Sequence, residues 1–168
     1  MSVELSLLDP THAYSGIRQF DCGHEVITKF VRSALIKQVK NNLSVAYVLT
    51  DRAHADRFVG FYTIAQHALD ASALSGPQSG SLPRKIPCIR LIMLGIDASY
   101  QHQQLGMRLM KHALRTTQSA ARQIGSYGLY LDADAGAWVF YRKLGFILLE
   151  GDRSPVPSPM FIAMSSIA

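Results

Sequence analysis

The feature that most limits how this chain can fold is a buried strand that feeds directly into a long helix. Ile86 to Ile96 is a nearly unbroken apolar run whose one charged residue is Arg90. Such a run suits a central strand covered on both faces. A polar turn follows, and then Leu105, Leu109, Met110, Ala113, Leu114 and Ala121 mark one side of the longest helical pattern, Gln103 to Ile124. A junction of this kind gathers backbone N–H groups at the positive end of a helix dipole, which is a natural place for a phosphate.

The remaining pattern fills in around that junction. Val3 to Leu8 reads as a strand ended by Asp9-Pro10, with a short helix expected around Thr11 to Arg18. Val26, Ile27, Phe30, Val31, Ala34 and Leu35 recur at helical spacing, so one amphipathic helix is expected there, with Lys29, Arg32, Lys37 and Lys40 off its apolar side. Ser44 to Thr50 and Arg57 to Ala65 are β-rich runs, and the turn from Asp51 to Asp56 makes them a hairpin. Tyr127 to Leu131 is a strand, and Ala135 to Leu144 is a helix closed by Gly145, which sits where a C-terminal cap needs a positive φ. Phe146 to Leu149 and Met160 to Met164 are the last strands. This order predicts a mixed α/β (α+β) fold in one domain, residues 1–168.

Composition narrows the function. With 48% apolar and 17% charged residues in 168, the chain has a core to bury and is not disordered. The first ten residues carry no basic segment and no long apolar run, so neither a secretory signal nor a membrane span is expected, and the location is predicted to be cytoplasmic. Cys22 and Cys88 lack metal-like spacing and read as reduced thiols; no metal site is expected. The formal charge of +5 favours a polyanionic partner, although a cofactor with several phosphates would use part of it. The glycine, serine and proline cluster from Ser72 to Pro87 reads as an internal loop.

Two motifs give the chain a chemistry. The first runs Ile96-Asp97-Ala98-Ser99-Tyr100-Gln101-His102-Gln103-Gln104-Leu105-Gly106-Met107. It resembles the cofactor loop of GNAT acetyltransferases, whose signature is Gln or Arg, two residues, Gly, one residue, then Gly or Ala. Anchored on Asp97 and Tyr100, that signature falls on Gln101, Gln104 and Gly106, so Gln104 replaces the first glycine, and His102 stands where the family often has another. A register starting at Gln103 restores Gly106 as the first glycine but puts Arg108 last and lengthens the turn; the first register is preferred. The resemblance implies a GNAT fold, with a mostly antiparallel sheet of six to seven strands flanked by about four helices. It also implies acetyl-CoA as cofactor, held by Leu94, Gly95, Ile96, Gln101, His102, Gln103, Gln104, Leu105, Gly106 and Met107.

The second motif is Phe140-Tyr141-Arg142-Lys143-Leu144-Gly145-Phe146. It resembles the C-terminal GNAT helix, in which Phe-Tyr is followed by Gly-Phe. When an amine attacks an acetyl thioester, the departing thiolate needs a proton or a hydrogen-bond donor, and a phenol supplies one. The resemblance assigns that role to Tyr141. Phe140 and Phe146 read as core.

The amino-terminal half bears on the acceptor. Phe20-Asp21-Cys22-Gly23 before a helix, Gly60-Phe61-Tyr62-Thr63 in a strand, and Leu82-Pro83-Arg84-Lys85-Ile86-Pro87 together resemble the toxin branch of GNAT proteins. That resemblance implies acetylation of the α-amine of aminoacyl-tRNA, a ribbon-helix-helix antitoxin as partner, and a homodimer. An α-amine has a pKa near 7.7–8, well below lysine, so it needs only a weak base or a water chain. This suits a sequence with no obvious catalytic Glu or His. Lys29, Arg32, Lys37, Arg84 and Lys85 are the candidate contacts to tRNA phosphates. Asp21, Cys22 and His24 read as a turn and helix N-cap. The strand before the loop departs from the branch, with Met93 where Arg is usual. A GNAT enzyme for another amine, or a silent binding fold, remain open alternatives at this stage.

Overall fold

The computed structural model describes residues 2–74, 82–134, 136–149 and 157–167. Along the chain come β1 (Val3–Leu7), α1 (Glu25–Ser33), α2 (Leu35–Lys40), β2 (Val45–Asp51), β3 (Arg57–Asp70), β4 (Lys85–Ile96), α3 (Leu105–Ile124), β5 (Gly128–Ala133), α4 (Trp138–Lys143), β6 (Ile147–Leu148) and β7 (Ser158–Ala163). The strands form one sheet in the order β1-β2-β3-β4-β5-β7-β6. β4 and β5 pair in parallel, whereas β1/β2, β2/β3, β5/β7 and β6/β7 are antiparallel. A parallel pair needs a long crossover, and α3 supplies it. The expected fold class, strand number and helix number therefore hold.

Backbone contacts divide the chain into two compact units, Met1–Ala65 with Ile92–His112, and Gln66–Leu91 with Ala113–Ala168. In the first, α1 and α2 lay Val31 and Leu35 on a buried group of rings. Phe20 stands edge-on to Phe58 with centroids 5.3 Å apart, and Phe30 stacks on Phe61. Each such side chain contributes about 1.5–3 kcal/mol on burial. In the second unit Leu69, Ile86, Cys88, Leu149 and Phe161 form the core, with Tyr127 stacked on Phe161. Here Gly128 has no room for a side chain: a Cβ would lie 2.1 Å from the Ile162 carbonyl oxygen, so the β5/β7 pairing requires glycine.

Several expected elements differ. The helix proposed for Thr11 to Arg18 is absent; a single 3-10 turn covers Ile17–Gln19. Asp9 instead accepts from the Thr11 backbone and hydroxyl, and Gly16 at φ 74 cannot continue a helix. The one amphipathic helix is two, broken at Ala34 (φ −131), next to a Ser33 hydroxyl that bonds back to the Lys29 carbonyl. β3 runs five residues beyond Ala65, to Asp70. β4 is not covered throughout, because Ile92, Met93 and Leu94 are half-buried. The last helix begins at Trp138, since Gly136 is left-handed (φ 82), and its expected first residue, 135, lies outside the described residues. Part of the Ser72 to Pro87 loop, residues 75–81, also lies outside them; Ala71–Ala73 form a 3-10 turn and Lys85 already belongs to β4.

Candidate active site

The polar turn after β4 is built by a buried carboxylate. Asp97, 4% exposed, accepts from the backbone N–H of Ser99 at 3.0 Å and of Asp21 at 3.2 Å, and from the Ser99 hydroxyl. Arg57 faces it at 3.9 Å and lies over the Tyr100 ring. The Tyr100 hydroxyl donates to Asp51 at 2.7 Å, and this bond, with help from His54, holds the Asp51 carboxyl below its usual range against the opposing effect of burial. The chain is thereby held in a 3-10 turn at Ala98–Tyr100.

Beyond that turn the backbone alternates in hand. Gln101 has φ −71, His102 has φ 65, and Gln104 has φ 61, just before α3 begins at Leu105. In the register anchored on Asp97 and Tyr100, His102 and Gln104 are the positions where the family has glycine. Alternation of this kind turns successive N–H groups toward one point and forms an anion nest, and the first turn of α3 adds N–H groups with no acceptor inside the helix. Each left-handed non-glycine residue costs about 1–2 kcal/mol. Gln104→Gly is therefore expected to raise stability by only about 0.5–1 kcal/mol, because glycine's greater freedom in the unfolded chain offsets part of the relief. Urea denaturation measures it, and a destabilised variant would contradict the strain.

The other loop residues divide by role. The Gln101 side-chain amide donates to the carbonyl oxygens of Cys22 and Ile96, both at 2.9 Å, and so fastens the loop to the turn before α1. His102, Gln103 and Gln104 are exposed, Leu105 is buried, and Gly106 and Met107 are half-buried. No protein atom lies within 4 Å of where a Gly106 Cβ would be, so its backbone is open to a ligand. Gly95 packs against Ile27 and Cys22, where a Cβ would come within 3.0 Å of Ile27. Leu94 is half-buried and Ile96 buried. The nest, the free helix start and the open face at Gly106 fit the pyrophosphate of a coenzyme A derivative.

In the second unit, Tyr141 is set by the end of α4. Phe146 N–H donates to the Tyr141 carbonyl at 3.2 Å and Gly145 N–H to the Arg142 carbonyl at 3.0 Å, with Gly145 at φ 103. This is a Schellman cap, and its usual apolar contact is the Phe146 ring edge-on to Tyr141 at 5.7 Å. The cap expected from the sequence is present. Burial, reinforced by the nearby Asp134 charge, pushes the half-buried Tyr141 phenol up to about 12, so it keeps its proton across the physiological range. Phe146 is core, but Phe140 is not: it is 36% exposed, because neighbours on a helix point about 100° apart and Tyr141 takes the inward direction.

The candidate tRNA contacts fall in both units. In the first, the exposed Lys29 and Arg32 line a groove of about 510 Å³ with Asp21, Glu25 and Thr28, and Arg32 Nε also donates to the Phe20 carbonyl at 2.9 Å. Lys37 is exposed on α2. In the second, Arg84 is exposed and Lys85 pairs with Asp70 at 3.4 Å. His24 caps α1, its Nδ1 accepting from Ile27 N–H at 3.3 Å, as a turn and N-cap reading requires. Among the described residues no His, Cys, Asp and Glu group could hold a metal ion, and no helix is long and apolar enough to cross a membrane. Sequence reasoning used Asp97 and Tyr100 only as anchors and passed over Arg57 and Asp51, whose flanking positions on the β2–β3 hairpin were the available signal.

A mixed sheet with an anion-binding strand-turn-helix junction, and a capped helix presenting a protonated phenol, define an acyltransferase. The sequence profile of the acetyltransferase (GNAT) domain matches residues 42–148, and the chain belongs to that family of acetyl-CoA-dependent N-acetyltransferases. Among solved structures, it is similar to a bacterial toxin at 34% identity and a TM-score of 0.91, covering 97% of this chain and 91% of that one. It is similar to AtaT complexed with acetyl-methionyl-tRNAfMet at 29% identity and a TM-score of 0.88, over 98% and 96% of the two chains. It also resembles a tyrosine-to-phenylalanine mutant of AtaT bound to the C-terminus of the antitoxin AtaR and acetyl-CoA, at 28% identity and a TM-score of 0.82, over 99% and 96%.

Proposed function

We propose that this chain is the toxin of a toxin–antitoxin pair and acetylates the α-amine of aminoacyl-tRNA, which blocks translation. The observation that carries this reading is the likeness to AtaT in its acetyl-methionyl-tRNA complex, which extends over nearly the full length of both chains. Acetyl-CoA, when bound, supplies the acetyl group as a thioester. The N–H groups of His102 to Met107 hold its pyrophosphate, Gln101 fixes the loop that presents them, and Leu94 to Ile96 line its path. Tyr141 Oη holds a proton and donates it toward the departing sulfur. Lys29, Arg32, Lys37, Arg84 and Lys85 meet the tRNA backbone. The chain works as one catalytic domain in the cytoplasm, as a homodimer, with a ribbon-helix-helix antitoxin as its partner.

The test is direct. Charged tRNAs incubated with the protein and labelled acetyl-CoA are expected to carry label on the α-amine, read by mass spectrometry after nuclease digestion. Expression without an antitoxin is expected to arrest growth. Release of CoA with other amines but no labelled aminoacyl-tRNA would overturn the reading.

A further inference from the structure

One group of polar side chains in the second unit has no part in the account so far. His67 on β3 lies flat against Tyr130 on β5, with centroids 4.5 Å apart and planes 20° from parallel. The Tyr130 hydroxyl donates to Asp132 Oδ1 at 2.9 Å. Arg90 on β4, register partner of Tyr130, donates through Nη2 to Asp132 Oδ2 at 3.0 Å and lies 5.9 Å from the Tyr130 ring centroid. All four side chains are half-buried.

A purely structural cluster would close its own hydrogen bonds, and this one does not. Arg90 Nε is buried with no partner, and neither imidazole nitrogen of His67 bonds to a described residue. The sheet therefore presents an aromatic-backed imidazole with free nitrogens beside a neutralised Arg–Asp pair. Its position matters too. Side chains on a strand repeat their face every second residue, so Tyr130 and Asp132 share a face of β5, and Asp134 follows one residue past the strand end. The Asp134 charge acts on the Tyr141 phenol. The cluster and the acid thus belong to one continuous stretch of this unit.

We propose that His67 is the general base of the acetyl transfer, taking a proton from the acceptor ammonium, while Tyr130, Asp132 and Arg90 position it. This rests on reading the chain as an amine acetyltransferase. An N–H bond of the ammonium breaks, its electron pair stays on nitrogen, and the proton passes to a His67 ring nitrogen and on to water. The nitrogen pair then forms the bond to the acetyl carbon, and the C–S bond breaks with its pair left on sulfur, which meets the Tyr141 Oη–H. Nitrogen loses a second proton as the amide forms and sulfur gains one, so one proton in total reaches solvent.

The surroundings suit a base. The titratable groups around His67 are Cys88 and Arg90 on β4 and Tyr130 and Asp132 on β5. Burial first, then the Arg90 charge, lower the imidazole below its usual value, with Asp132 opposing them. Burial raises the Cys88 thiol to about 11 and the Tyr130 phenol to about 12, so both stay neutral. At pH 7 His67 is unprotonated and able to accept.

The experiment is a pH–rate profile of CoA release with an aminoacyl-tRNA that the wild-type chain acetylates, for wild type, His67→Gln and His67→Ala. Wild type is expected to lose rate only below about pH 6.5, where imidazole protonates. His67→Gln is expected to lose roughly 100-fold or more in kcat at pH 6.5. Its acid limb should move up to about 7.7–8, the range of the α-amine itself, so that the deficit shrinks at higher pH. Added imidazole is expected to restore part of the His67→Ala rate. A wild-type profile shape in His67→Gln, or an effect confined to KM, would overturn the proposal. If the variants do not fold, the wild-type profile decides: an acid limb near 8 overturns the role. CoA release with other amines but never with aminoacyl-tRNA sinks the acceptor assignment instead, and the same profile on those amines then tests His67.

Discussion

Tyr141→Phe is expected to lower kcat for acetyl transfer by roughly 100- to 1,000-fold while leaving melting temperature and acetyl-CoA affinity near wild type. The size follows from removing one donor aimed at developing negative charge in a water-poor site. Selectivity for kcat follows from where the residue is fixed. The Schellman cap at Gly145 and the edge-on Phe146 hold the ring, not the hydroxyl, and both survive in phenylalanine. No described residue accepts a hydrogen bond from Oη, so the substitution orphans no partner. Because the phenol stays protonated up to about 12, its ionisation should leave no break in the rate profile below pH 10. Single-turnover kinetics with calorimetric binding of acetyl-CoA separates the terms. A variant that loses affinity in proportion to rate would assign Tyr141 to binding instead of chemistry.

The second large effect is expected at Asp97, which contacts no substrate in this account. Asp97→Ala removes the acceptor for two backbone N–H groups, at Asp21 and Ser99, and the partner of the Arg57 guanidinium. Leaving such donors unsatisfied costs about 1–3 kcal/mol each where they remain buried, so a loss of roughly 3 kcal/mol is expected. For a chain of this length that is about 6–12 °C in melting temperature. The same residue sets the 3-10 turn that leads into the nest at His102 to Gln104, so acetyl-CoA affinity should fall at least tenfold. Asp97→Asn keeps one acceptor and should lie between the two. A stable Asp97→Ala protein with wild-type affinity would mean that the nest forms without this support.

Parts of the site were legible because their causes are local. The apolar run of β4, the polar turn and the helical period of α3 mark a strand-turn-helix junction without reference to the rest of the chain. Gly145 is read as a cap for the same reason, since only glycine readily takes φ 103 directly after a helix. Elsewhere local pattern misled. The break at Ala34 is invisible to a periodicity that runs from Val26 to Leu35. The start of α4 was misplaced because a left-handed Gly136 looks, in sequence, like any residue before a helix.

Two features show most clearly what each level settles. The residue types at 101–107, and the departure from glycine at 102 and 104, are properties of the sequence and announce an anion site. That His102 and Gln104 nonetheless adopt the left-handed backbone of the glycines they replace is decided by tertiary structure. Asp97, Gln101 and the Cys22 turn hold the loop on either side, and packing supplies the strain energy that local preference withholds. The cluster at His67 is the extreme case. Its four residues come from β3, β4 and β5 and are separated by 23, 40 and 2 positions between His67, Arg90, Tyr130 and Asp132. No periodicity connects them, because only strand pairing brings side chains from distant segments onto one face of a sheet.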